Sequence, residues 1–155
     1  MASPHSARSR MTELPSWLLT QSALHAHRLV GEGLAEVGAR GYHYRLLTTL
    51  AEDGPASQNT LGRRSGIHAS DLVATINELA EDGYVRREPD PSDRRRNVVS
   101  LTAEGRRRLR RLDTAVQHIQ DRVLASLSTE QRTQLTELLR ILLDHHTNRP
   151  DPAAT

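Results

Sequence analysis

The 155 residues contain no cysteine, no lysine and no phenylalanine, and only one tryptophan and three tyrosines. Without cysteine there is no disulfide framework, no thiolate metal site, no catalytic thiol and no cysteine redox sensor. No stretch approaches the roughly 18 uninterrupted apolar residues that cross a bilayer. The N-terminal arginines are followed by no apolar run, so no secretory signal is visible and the cytoplasm is the expected location. No nucleophile elbow, P-loop, dinucleotide fingerprint or metal-ligand repeat occurs, so neither an enzyme nor a cofactor is expected. Hydrophobic residues make up 36% of the chain, little for a monomer with one deep core. Part of the core is therefore expected from a partner subunit.

What charge there is lies unevenly. Residues 63–111 carry 12 arginines against 8 acids, whereas 1–62 hold five of each and 112–155 hold four against six. Within 86–111 the ratio is ten to four. A basic middle between neutral and acidic ends is the electrostatic footprint of a phosphate-backbone binder, the alternative being a solvated arginine face.

Residues 1–12 lack apolar periodicity and read as a disordered arm, and 147–155 as a frayed tail. Between them the pattern is mainly helical. Pro15 opens a helix running to about Val37, with Trp17, Leu18, Leu24, Leu29, Val30, Leu34 and Val37 as its apolar surface and Gly38 and Gly41 after its end. Trp17 reads as a packing residue. Tyr42 to Glu52 form a second helix, stopped by Asp53-Gly54-Pro55. Ser57 is an N-cap for a short helix to about Arg64, anchored by Leu61. Gly66 makes a turn and Ile67 plugs the core. A helix from His68 to Asp82 should bury Leu72, Val73, Ile76 and Leu79, with Gly83 as its left-handed cap.

The period then changes to two short strands, Tyr84–Glu88 and Asn97–Leu101. Between them Pro89 to Arg96 form a projecting basic tip, where two prolines argue against sheet. Thr102 caps a long helix in which Leu109, Leu112, Val116, Ile119 and Val123 step 3, 4, 3, 4, an apolar seam of the kind that pairs helices. Ser128 to Gln131 is a capping box for a last helix, with Leu135, Leu138, Leu139, Leu142 and Leu143 on one face.

Short helix, tight turn and helix over 57–82 form a helix-turn-helix, and the hairpin at 84–101 is its wing. In that arrangement the second helix enters the major groove and the wing tip reaches the neighbouring minor groove, whose narrow electronegative channel suits guanidinium groups. The expected fold class is thus mainly α (α+β): a winged helix-turn-helix with a two-stranded wing and an all-helical body. These residues resemble the MarR (multiple antibiotic resistance regulator) family. The resemblance is carried by Gly54-Pro-Ala-Ser-Gln58, Leu61, Gly66-Ile67, Leu79 and Gly83-Tyr-Val-Arg-Arg87. Its most specific part is Asp90-Pro-Ser-Asp93-Arg-Arg95, followed by Val99-Ser-Leu101-Thr102 and Gly105.

The resemblance implies a single unit over 14–146, in which helices 14–37, 102–126 and 128–146 build a homodimer around a DNA-binding lobe at 42–101. It implies a repressor that binds a near-palindromic operator in double-stranded DNA and is released by a small anionic aromatic effector. A DNA-compacting protein with little sequence preference and a metal-responsive regulator are the other readings.

Candidate DNA-binding residues follow from position. Arg95 is placed to enter the minor groove, with Asp93 orienting its guanidinium by a paired hydrogen bond. Arg94 and Arg96 are placed to meet phosphates, and Ser57, Gln58 and Asn59 to offer a helix N-terminus to another. His68, Ala69, Ser70, Asp71, Ala74 and Asn77 should line the DNA side of the recognition helix. Many family members carry basic residues where this chain has Ala69 and Ala74. Asp71, and Glu78 further along, are acids near DNA, unfavourable except against a donor such as a cytosine amino group. The arginines at 106, 107, 108, 110 and 111 read as a solvated face paired with acids of other helices.

By the same resemblance His25, Arg28, His43 and Tyr44 border a cleft and are candidate ligand-binding residues, the alternative being that they stabilise a helix junction. Eight histidines raise the question of a metal. His25 and His27 face opposite sides of a helix, and His145 and His146 diverge, so no metal site is expected unless one assembles across helices, as from His43 and His118.

Overall fold

The structure, a computed structural model, describes residues 10–148, which fall into two units divided between Ile119 and Gln120. The rest of the expected arm and tail lies outside the described residues. Arg10–Glu13, expected in the arm or at its edge, form one 3-10 turn, and Thr147, expected in the tail, ends the last helix.

In the first unit, helix α1 (Pro15–Glu36) starts at its proline, which has no N–H to leave unsatisfied in the first turn. It packs closely where it has no side chain. A Cβ on Gly33 would stand 2.5 Å from Ile119 Cγ1 of helix α5 (Ala103–Val123). Gly38, at φ +66°, turns the chain into α2 (Gly41–Asp53). Helix α3 (Gln58–Ser65) is capped by Ser57, whose Oγ accepts the Thr60 N–H at 3.3 Å. Gly66, at φ +64°, leads to buried Ile67 and then to α4 (Ala69–Glu81).

Strands β1 (Val85–Pro89) and β2 (Asn97–Leu101) pair antiparallel, with Val85 opposite Leu101 and Pro89 opposite Asn97. Sheet therefore includes one proline expected outside it. β1 is an edge strand, where a missing N–H is tolerated. On the other side of β2, Ala56 exchanges two backbone hydrogen bonds with Val99, at 2.9 and 3.2 Å. Leu46, Leu47, Leu50, Leu61, Ile67, Leu72, Ile76, Leu79, Val85 and Val99 form the buried core of this lobe.

Val73, expected inward, is 39% exposed. The inward arc of α4 is completed by Thr75 instead, a polar residue that can be buried because its hydroxyl donates to the Asp71 carbonyl at 2.7 Å. The wing base is seated on α5. Thr102 Oγ1 donates to the Gly83 carbonyl at 2.7 Å and accepts the Gly105 N–H at 2.9 Å, and a Cβ on Gly105 would be driven into the Tyr84 carbonyl. The seam on α5 is only partly available to a second chain. Leu112 and Ile119 are buried within the first unit, while Leu109, Val116 and Val123 stay half-covered.

The second unit contains the last turn of α5 and helix α6 (Thr129–Thr147). The capping box forms as the spacing predicts: Ser128 Oγ accepts the Gln131 N–H at 3.3 Å, and Gln131 Oε1 accepts the Ser128 N–H at 2.9 Å. Arg132 closes the connection, donating to the Leu127 carbonyl and pairing with Asp121 at 2.8 Å. Leu138, Leu139, Ile141, Leu142 and Leu143 remain exposed. No helix among the described residues is long and apolar enough to cross a membrane.

Candidate nucleic-acid interface

Helix α4 is buried along Leu72, Thr75, Ile76 and Leu79, so the opposite arc is the one it can offer to a partner. At about 100° per residue that arc carries Ala69, Ser70, Val73, Ala74 and Asn77, with Asp71 on its flank. All six are exposed, as is the cap residue His68. The helix holds no arginine or histidine of its own. Glu78 is turned away from this face. It pairs with Arg40 and stands 2.7 Å from His43 Nε2, so the second acid feared near DNA belongs to the junction with α2.

Asn77 Oδ1 accepts from Arg87 Nη2 at 2.7 Å, which fastens β1 of the wing to the outer face of α4. The wing tip is itself ordered by carboxylates. Asp90 Oδ1 accepts the Ser92 N–H at 2.8 Å and its hydroxyl at 2.7 Å, which holds the Asp90 carboxyl below its ordinary range. The Asp90 N–H donates to the Arg96 carbonyl at 2.8 Å, and the Arg96 N–H to the Asp93 carbonyl at 2.9 Å.

Asp93 does not form the expected paired bond with Arg95. Its Oδ1 accepts the Arg95 backbone N–H at 3.1 Å and lies 3.5 Å from Nε, and Oδ2 is 3.9 Å from Arg96 Nε. A side chain two residues away is positioned to bond the backbone of an Asx turn rather than to meet a guanidinium fork face to face. Arg95 is thus held by its backbone while its side chain stays 94% exposed. Arg94 and Arg96 are exposed beside it.

Ser57, Gln58 and Asn59 stand at the start of α3, as placed from sequence. Between this helix and the tip end of the wing lies an open cleft of about 320 Å³, lined among others by Ser57, Thr60, Arg64, Asp90 and Arg96. Arg107 pairs with Glu104 of its own helix. Arg108 donates to the Val37 and Gly38 carbonyls at 2.6 and 2.9 Å and lies over the Tyr84 ring at 5.7 Å. These two therefore do not pair with acids of other helices: one stays local, and the other satisfies the open carbonyls at the end of α1.

The four residues expected at a ligand cleft are each engaged elsewhere or exposed. Arg28 pairs with Glu32 at 3.2 Å, His43 meets Glu78, Tyr44 donates to Asp113 at 3.0 Å, and His25 is exposed on α1. None of these bonds joins one of the four to another. His43 Nδ1 accepts the Arg40 backbone N–H at 3.3 Å, so the neutral ring carries its proton on Nε2 and donates it to Glu78. Burial and then the Arg40 guanidinium push the His43 pKa down; Asp82 opposes them, and Arg108 adds the least. Burial and the bond to Asp113 push Tyr44 up. Among the described residues no group of three or more metal-ligating side chains stands together.

The sequence profile of the MarR family matches residues 37–96, from the end of α1 to the wing tip. A crystal structure of a probable transcriptional regulator from Pseudomonas aeruginosa is 32% identical, with a TM-score of 0.74 over 86% of this chain and 99% of that one. The chain belongs to the MarR family. The HTH-type transcriptional repressor NicR of Pseudomonas putida is 28% identical over 102 residues, 66% of this chain and 65% of NicR, so the match spans less than two thirds of that relative. The PcaV transcriptional regulator of Streptomyces coelicolor, solved in complex with its natural ligand, is 25% identical with a TM-score of 0.71 over 93% of this chain and 98% of that one.

In this MarR-family chain three residues at the interface escape a reading of the sequence. Arg64 faces the cleft by α3, Arg87 ties wing to helix, and Val73 stands on the outer face. Arg63-Arg64 at the end of a short helix was a visible signal. The Arg87–Asn77 bond spans ten residues across a turn and had none.

Proposed function

We propose that this MarR-family chain is a dimeric, sequence-specific DNA-binding repressor of the cytoplasm, which binds a near-palindromic operator and is released by a small anionic aromatic ligand. The observation that carries DNA binding is the Arg87–Asn77 bond. It fastens strand β1 of the wing to the outer face of α4, so that a face of mostly small side chains, with Asp71 on its flank, stands on the same lobe as a cationic loop. A duplex offers complementary features in adjacent grooves. Ser57, Gln58 and Asn59, with Arg64 of the same helix and Arg96 across the cleft, supply phosphate contacts.

The dimer is supported by apolar side chains left in water: Leu14, Leu18, Leu19 and Leu24 on and beside α1, and the leucines of α6. A second copy covering them by two-fold symmetry sets two recognition helices against two half-sites. Light scattering at micromolar concentration should find a dimer, and a monomer alone overturns that part. Selection of bound fragments from random duplexes tests the function. A shared motif, bound about a thousandfold more tightly than random duplex, supports a specific regulator. Equal affinity for all duplexes supports a DNA-compacting protein instead. NicR is a repressor and PcaV binds a ligand, and both properties are extended here by likeness.

A further inference from the structure

We infer that α4 reads its operator through thymine methyl groups rather than through guanine or adenine edges, an inference that rests on the DNA-binding function proposed above. The two-point readers of guanine and adenine are missing or engaged, which leaves His68, Ser70 and Asp71 as the exposed polar groups at the start of the helix, where Asp71 can accept only from a donor such as a cytosine amino group. Two-point recognition of guanine needs an arginine or lysine, and α4 has neither. Two-point recognition of adenine by an asparagine needs the amide oxygen to accept from the base, and the Asn77 oxygen already accepts from Arg87 at 2.7 Å. Glu78 is held by Arg40 and His43.

With Asn77 engaged by Arg87 and Asp71 on the flank, what the outer arc presents is Ala69, Val73 and Ala74, with the small hydroxyl of Ser70 between them. Val73 is the only β-branched apolar side chain on α4 left exposed, at 39%. The one apolar group that a base pair displays in the major groove is the thymine 5-methyl. The flanking charges fit the same occupant: Arg94, Arg95 and Arg96 are exposed on the wing, so phosphate attraction comes from the loop and leaves the helix face free to be apolar.

The test uses the full-length protein and the operator returned by selection, with each thymine of a half-site replaced in turn by deoxyuridine. This removes a methyl and leaves every hydrogen-bonding group in place. At one or more positions affinity should fall about fourfold, the equivalent of about 0.8 kcal/mol for one buried methylene-sized group. Val73→Ala, at an exposed position that leaves the core intact, should weaken binding and abolish the deoxyuridine penalty at one of those thymines. If the operator is bound specifically but no deoxyuridine lowers affinity, the methyl reading is overturned and the regulator stands. If penalties occur but persist unchanged in Val73→Ala, Ala69→Gly and Ala74→Gly, they come from altered DNA stiffness, which also overturns it. If selection returns no shared motif, the DNA-reading function itself fails, and this inference with it.

Discussion

Arg95 and Asp93 divide the work of the wing tip between side chain and backbone. The Arg95 side chain is exposed to solvent with its Nε 3.5 Å from Asp93 Oδ1, and its root is held by the bond from its own N–H to the same oxygen. Arg95→Ala should therefore weaken operator binding by about 1–3 kcal/mol, the range of a well-placed base or groove contact. Asp93→Ala should also weaken binding, although it removes a negative charge beside DNA, because the turn loses its organising acceptor. Asp93→Asn separates the two effects. An amide oxygen can still accept the Arg95 N–H, so this variant should bind at least as well as the parent, whereas loss of binding equal to that of Asp93→Ala would make the charge, and not the turn, the important feature. Fluorescence anisotropy with labelled operator measures all three. Arg96→Ala should lower the salt dependence of binding by about one unit of slope if it meets a phosphate.

Helices in the first unit are set by close approaches that a single methyl tests. Gly33 lets α1 meet Ile119, so Gly33→Ala should cost about 1–3 kcal/mol in urea unfolding, as overpacking does. Gly31, two residues earlier, has open space around it, so Gly31→Ala should stabilise by roughly 0.5–1 kcal/mol through helix propensity. The start of α2 predicts an acid sensitivity. The His43 pKa in the fold lies below the ordinary 6.5, chiefly because of burial and then the Arg40 charge, which outweigh the opposing Asp82 carboxylate. The unfolded chain binds that proton first as pH falls. Stability is thus full above pH 6.5 and is lost as pH drops from there through the folded value. His43→Gln should flatten that part of the profile, and an unchanged slope would place the sensitivity elsewhere. Elements like these were largely legible in the sequence, because glycine turns, Ser57 and Ser128 caps and hydrophobic steps are local signals. Val73 was misplaced because periodicity cannot tell which of the two opposite edges of the buried arc, that of Val73 or that of Thr75, the core will cover. The Arg40–Glu78–His43 junction and the Arg87–Asn77 bond were invisible because they join side chains distant in sequence or set by the turn between them.

At the scale of the whole molecule, the proposed release by a small acid sets ligand and DNA in competition for the setting of α4. A dimer on an operator must hold its two recognition helices about 34 Å apart to enter successive major grooves. In this chain the residues placed to bind an anion, Arg40 and His43, already hold the Glu78 carboxylate, and Glu78 belongs to α4. Under the proposed function, an aromatic acid taking the place of Glu78 would release α4 from the start of α2 and change how far the helix can reach. A preference for the released state of about 1–3 kcal/mol alters operator affinity 5–150-fold. Linkage then requires operator DNA to weaken the acid's binding by the same factor. Titration calorimetry with salicylate, with and without operator, measures both affinities. Glu78→Gln removes the internal competitor, so it should bind salicylate more tightly than the parent and show a smaller difference between the two conditions. Equal salicylate affinity in the presence and absence of operator would mean that such an acid does not govern DNA binding. A Glu78→Gln protein with the parent's coupling would mean that the control passes through some other contact than the one between α2 and α4.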